Sequence, residues 1–257
     1  MIELLVVIAI IAILAAALLP VLNRAKISAQ KAKAKLEIQD LVTAIQNYDS
    51  IYGRFPVSSA AQIQAAQNAT SIGIGDFTYG GTFQGNNGAP YIVGTPLLPL
   101  TNSEVIAILM NLTNYPNGGP TINTNYQKNP QQTIFLNAKM SGWDPSQPGQ
   151  PEPGVGNDLV YRDPWGNPYI ITMDLNYDEN CKDAFYSRSK VSNLSGVNSN
   201  PGINGLIDPD NTLNNFQFHG KVMVWSAGPP TLNGKPVVDV NSAATSPFNK
   251  SHILSWQ

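Results

Sequence analysis

Hydrophobic and polar positions follow three different rules along this chain. From residue 4 to residue 22 there is no alternation: "LLVVIAIIAILAAALLPVL" is 19 residues without a charge. A core helix rarely stays apolar on every face for about five turns. A signal peptide has a shorter apolar region and then a small-residue cleavage site, which is not found here. The run fits a membrane-crossing helix of about 20 residues, with Pro20 removing one backbone donor and expected to kink it. From Asn23 to Tyr52 the pattern changes. There is no Gly or Pro, and Ala25, Ala29, Ala32, Leu36, Leu41, Ile45, Tyr48 and Tyr52 recur at steps of mostly three and four, the stripe of an amphipathic helix. Gly53 to Pro56, "GRFP", then supplies a C-terminal glycine and a proline stop. One helix of about fifty residues, about 75 Å long, is predicted.

Beyond it the pattern becomes irregular. Ser58 or Ser59 can cap an Ala/Gln-rich turn ending near Asn68. In "TNSEVIAILMNL", Thr101 and Glu104 have capping-box spacing ahead of an apolar face of Val105, Ile106, Leu109 and Leu112. Tyr169 to Met173 is β-branched and aromatic and reads as a strand; Lys221 to Pro230, "KVMVWSAGPP", reads as a second that breaks at Gly228. Residues 73–96, 113–157 and 189–215 are rich in Gly, Asn, Pro or Ser and read as loops with short strands. The fold class is therefore α+β: a long N-terminal helix packed on a small antiparallel sheet with loop-rich insertions. Residues 1–24 form one unit, the membrane half of the helix, and 25–257 the globular part.

Composition narrows the function. Of 257 residues, 12% are charged, with a formal net charge of −2, which gives no electrostatic footprint for nucleic acid. One cysteine, Cys181, excludes an intrachain disulfide. Two histidines, His219 and His252, the lack of a Gly-x-Ser-x-Gly elbow and of a phosphate loop at "GKP", and no paired carboxylates give no enzyme signature.

"IELLVVIAIIAILAAALLP", leading into a helix that ends "YDSIYGRFP", resembles the N-terminus of the type IV pilin and type II secretion pseudopilin superfamily. A second block, "YRDPWGNPYIITMDL" with the later "SAGP" strand, is similar to the major pseudopilin. Its turn is Asp163, Pro164, Trp165, Gly166, Asn167 and Pro168; the Asp-Pro pair favours a tight turn and Gly166 can take positive φ. The resemblance implies a pilin fold and a structural subunit of a helical pilus-like or pseudopilus filament. It implies an inner-membrane, single-pass monomer that assembles with identical subunits into a periplasmic or cell-surface fibre. The implied partners are an assembly platform, an assembly ATPase and a prepilin peptidase. It also implies either that Met1 is internal to a longer reading frame, with codons upstream for Phe-Thr after a basic leader, or that the chain is a processed one numbered from Met1. The other class is a membrane-tethered extracytoplasmic module that binds through its enlarged loops. The basic residues Arg24 and Lys26 to Lys35 would alone place the globular part in the cytoplasm; the family places it outside.

The resemblance gives Glu3 a role. A carboxylate in hydrocarbon costs about 2.5–3.5 kcal/mol at mid-bilayer and less near the edge. In the family the matching Glu pairs with the N-terminal amine of a neighbouring subunit and sets filament register. Read alone, Glu3 is equally an interfacial acid favoured by the helix dipole. The indole of Trp165 is expected to fill the gap between the sheet and the stripe of Leu41, Ile45 and Tyr48. The family also binds calcium near its C-terminal strands, but here Pro230 stands where an Asp is usual. Asp174, Asn176 and Asp178 alternate as in half of a calcium loop, without the Gly and Glu of an EF-hand; they are the candidate calcium ligands.

Overall fold

The computed structural model describes residues 2–72, 75–147, 149–194, 201–232 and 234–257. Met1 and part of the 189–215 insertion lie outside the described residues.

Helix α1 (Ile2–Tyr52, 51 residues) is continuous through Pro20. Its terminus is set as expected: Gly53 takes φ +63°, and its N–H donates to the Asp49 carbonyl at 2.7 Å. The helix is long and apolar enough to cross a membrane, and its first half is exposed along every described face. The second half packs on the globular part through Ala34, Ile38, Leu41, Ala44, Ile45 and Tyr48. This is not quite the predicted stripe. Ala25, Ala29, Ala32 and Leu36 are exposed. The step from Leu36 to Leu41 is five residues, and Leu36 stands two residues, about 200°, from buried Ile38. The true stripe runs 34, 38, 41, 45, 48, in unbroken steps of four and three.

Helix α2 (Ser59–Ile72) follows. Ser58 is its cap, accepting the Ala61 amide at 3.1 Å, and it runs four residues past the predicted end. Helix α3 (Ser103–Leu109) is shorter than its apolar pattern. The capping box does not form. Asn102 occupies the cap position without a side-chain cap bond, and the Glu104 carboxylate accepts the Tyr79 hydroxyl at 3.2 Å instead. A fourth helix, α4 (Ser189–Ser192), is a single turn.

The strands are β1 (Phe77–Tyr79), β2 (Gly81–Gln84), β3 (Pro90–Val93), β4 (Gly154–Val155), β5 (Tyr161–Arg162), β6 (Ile170–Met173), β7 (Asn180–Cys181), β8 (Phe218–His219), β9 (Val222–Ser226) and β10 (Ile253–Leu254). The central sheet is antiparallel, in the order β1-β6-β9-β10; β2-β3, β4-β5 and β7-β8 form three small ribbons. The two strands predicted from sequence are its middle pair, with Ile170 opposite Trp225 and Met173 opposite Val222. The chain is thus a mixed α+β protein, with a long apolar N-terminal helix and a small antiparallel sheet.

Both faces of that pair are buried, and side chains alternate between two cores as the strand period requires. Ile171, Met173, Val222 and Val224 join the core under α1. Ile170, Met223 and Trp225 face a second core with Phe185, Tyr186 and Trp256. The later insertions and the C-terminal segment therefore close over the face that the helix leaves open.

Candidate functional site

Two features singled out in the sequence meet in space. Asp163 opens the "DPWGNP" turn and is fully buried. Its Oδ1 accepts the amides of Trp165 and Asn167, each at 2.9 Å, and its Oδ2 accepts the Ser226 hydroxyl at 2.6 Å. Ser226 ends β9, in the "SAGP" segment, and its Oγ accepts the Gly228 amide at 2.9 Å. Burial pushes the Asp163 carboxyl up to about 6 against the pull of these donors. Gly228 has φ +74°, and a Cβ there would lie 2.1 Å from the Ser251 carbonyl oxygen. The same holds in the turn: at Gly166, φ +87°, a Cβ would lie 2.2 Å from the Pro151 oxygen. Neither position accepts a side chain.

The turn is fastened to α1. Gln30 Nε2 donates to the Pro164 carbonyl at 3.1 Å, and the Tyr169 hydroxyl donates to Glu37 Oε2 at 2.6 Å. Pro168 bridges back to Arg162. The Trp165 ring packs against the core that holds Leu41, Ile45 and Tyr48, but it is half-buried there. It also lines a shallow cleft with Pro151, Pro230 and Pro236. The aromatic rings buried under α1 include Tyr48, Phe77, Tyr79, Tyr161 and Tyr169. Tyr169, the residue before β6, is fully buried in that core.

Two buried polar anchors went unread in the sequence. Asn102 Nδ2 donates to the carbonyls of Tyr161 (2.9 Å) and Tyr169 (2.8 Å), and its Oδ1 accepts the Tyr161 amide at 2.9 Å. One side chain thus completes the backbone pairing on either side of the turn. Asp183 accepts the amides of Phe185 and Tyr186, the Thr172 hydroxyl and the Trp225 indole N–H. The available signal was a polar residue within or beside an apolar window, which is weak by itself.

Glu3 lies in the first turn of α1, exposed, where the helix dipole favours an acid. The apolar surface flanking it is equally open: Leu4 is 71% exposed and Ile13 69%.

Asp174, Asn176 and Asp178 come together in one tight turn after β6, in which Tyr177 and Glu179 adopt positive φ. Their polar atoms serve that turn. Asp174 accepts the amides of Asp178 and Glu179, Asp178 Oδ1 accepts the Asn180 amide, and Asn176 Nδ2 donates to Asp178 Oδ2. Among the described residues no group of three or more His, Cys, Asp or Glu is arranged to hold a metal ion. Asp76 lies close by and is buried. Its Oδ2 accepts the Lys182 amide at 2.5 Å, and Oδ1 has no partner of normal geometry. Desolvation, with the charges of Asp174 and Asp178, pushes its carboxyl up to about 8.

Comparison with known proteins returned no match among family models, curated proteins or solved structures.

Proposed function

We propose that this chain is the structural subunit of a helical filament of the type IV pilus or type II secretion pseudopilus kind. One observation carries the reading: a single helix whose second half is built into a globular α+β body while its first half is apolar on all its described faces and packs on nothing in the monomer. Such a surface is stable in water only when covered. Lipid covers it in a membrane-anchored monomer, and the same half-helices of other subunits cover it in a fibre. Small residues (Ala9, Ala12, Ala15 and Ala16) let such helices approach closely without lipid between them. The sequence resemblance in both the helix and the "DPWGNP" turn supports the same reading, as does the hydrogen bond joining that turn to the "SAGP" strand.

In this reading the monomer waits in the bacterial inner membrane with its globular part outside the cytoplasm. Glu3, at the mouth of the apolar run, gains a partner only when a neighbouring subunit brings a cation to it. The pairing draws the incoming helix into register, because an unpaired carboxylate in hydrocarbon is the costly alternative. No chemistry is required of the subunit; its work is mechanical.

The test is Glu3→Ala, followed by fibre yield in the sheared extracellular fraction and monomer level in the membrane fraction. The monomer should persist in the membrane while fibres are lost. Normal fibre yield from the variant would refute the assembly role of Glu3. A membrane-tethered binding module would give no fibres from either chain.

A further inference from the structure

Away from α1 and the Asp163 turn, the inserted segments line a half-open cavity of about 890 Å³. That is within the range of small-ligand sites. Strand β3 and the loop after it form one wall, the segment from Lys182 to Arg188 the floor, and residues 209–217 the facing wall.

The facing wall is largely committed to itself. Lys182 Nζ donates to Asn215 Oδ1 (2.6 Å), Asn215 Nδ2 to Asp210 Oδ1 (2.6 Å), and Thr212 Oγ1 to the same Asp210 oxygen (2.8 Å). The charge of Lys182 is answered by Asp210 and Asp208. Arg188 is different. Its Nε donates to the Ala184 carbonyl at 3.3 Å, and its two terminal nitrogens have no hydrogen-bond or ion-pair partner among the described residues. It is half-buried and lines the cavity beside half-buried Tyr91, whose phenol feels its charge. A guanidinium stays ionised, and its fork of donors matches a carboxylate. This cation is a charged group of the lining that no direct ion pair holds among the described residues, though the Asp183 and Asp239 carboxylates act on the same Tyr91 phenol.

The backbone argues against an extended peptide as the carboxylate's carrier. The Gly85 amide bonds to the Ala89 carbonyl. Alternation along the antiparallel pair then makes Phe83–Tyr91 and Gly81–Val93 the bonded pairs. On the outer edge of β3, Ile92 alone turns both backbone groups outward, and Pro90, Pro96 and Pro99 have no N–H to offer. The lining instead supplies the hydroxyls of Thr95 and Ser187 and the NH₂ of Asn214, along with the Tyr91 ring; Thr95 Oγ1 and Asn214 Oδ1 already accept the amides of Thr78 and Ser189. Groups that can both donate and accept suit a ligand rich in hydroxyls, and a tyrosine face suits the apolar face of a ring.

We propose that this cavity binds a carboxylated sugar chain of the uronate type, with Arg188 receiving the carboxylate and Tyr91 walling the sugar ring. The site belongs to the globular part and does not depend on filament formation. The test is calorimetric titration of the full-length chain in detergent micelles with hexagalacturonate, cellohexaose as the neutral control and hexaglutamate as the acidic-peptide control. Hexagalacturonate should bind, with cellohexaose and hexaglutamate each at least about tenfold weaker. Arg188→Ala should weaken hexagalacturonate about 10- to 100-fold, the loss of a charge-assisted pair. Arg188→Lys should fall between, because it keeps the charge and loses the fork. Leu213→Trp, at a cavity-lining side chain 75% exposed, should block binding without disturbing the core, which covers the case in which an Arg188 variant misfolds. No binding of hexagalacturonate would overturn the proposal, as would an affinity unchanged by Arg188→Ala and Leu213→Trp, or tighter binding of hexaglutamate.

Discussion

Replacing Asp163 by Ala tests how two blocks of this sequence, the "DPWGNP" turn and the "SAGP" strand, hold each other. The buried carboxylate receives the half-buried amides of Trp165 and Asn167 and the buried hydroxyl of Ser226. Alanine leaves those three donors unanswered, at about 1–3 kcal/mol each. The sum, about 3–9 kcal/mol, is comparable with the whole stability of a typical domain, about 5–15 kcal/mol. For a chain of this size about 1 kcal/mol moves the melting temperature by about 2–4 °C, so Asp163→Ala should melt about 6 °C or more below the native chain. Asp163→Asn separates geometry from charge. Its carbonyl oxygen still accepts the two amides, and Ser226 has a second lone pair with which to accept from the new NH₂. It should cost about 1 kcal/mol, or about 2–4 °C. The assay is near-ultraviolet circular dichroism melting of the full chain in detergent. An Asp163→Ala melt within about 2 °C of native would refute the three-donor reasoning.

Three other perturbations separate the parts of the fold. Trp165→Ala should cost about 2 kcal/mol, roughly half of a buried aromatic, because the indole is half-buried; thermal melts should show a smaller loss than Asp163→Ala. Asn102→Ala removes the acceptor of the Tyr161 amide and a donor to the Tyr161 and Tyr169 carbonyls, of which the Tyr161 carbonyl keeps the Tyr169 N–H, so the Tyr161 N–H should exchange with deuterium much faster than in the native chain. For pH, the Asp76 carboxyl is raised in the fold to about 8. The folded chain therefore holds its proton where the unfolded chain has lost it, and this contribution to stability disappears as pH rises through 8. His252, buried and lowered to about 4, acts with the opposite sign, but only between about pH 4 and 6.5. From pH 6.5 to 8 the native chain should lose stability, by at most about 1.4 kcal/mol per pH unit for one proton, and Asp76→Asn should flatten that slope in denaturant titrations.

The long helix and the middle of the sheet were legible because each has a strong period or a clear stop. Nineteen uncharged residues, a Gly53 that takes positive φ and the β-branched runs before Met173 and around Val224 all imposed local structure that packing did not alter. The register of the helix face was harder. Leu36 is as apolar as Leu41, and only the contact with the sheet shows that Ile38 holds the buried position. The same limit applies to Trp165: the sequence shows an aromatic in a tight turn, not how deeply its ring is buried. Strand β1 was hidden in a Gly-rich stretch, since three residues are too few for a period. The capping box at Thr101 failed because Tyr79, far away in sequence, captured Glu104. Asn102, Asp183 and the Tyr91–Arg188 cavity depend on contacts between distant segments, for which composition carries no signal.

Electron cryo-microscopy of fibres sheared from cells that make the native chain tests polymerisation through α1 most directly. The expected result is a helical fibre with residues 2–33 of α1 bundled around its axis, the sheet and insertions outside, and the Glu3 carboxylate against a neighbouring subunit. A sheared fraction with no fibres of this chain, while the protein stays in the membrane pellet, would contradict it.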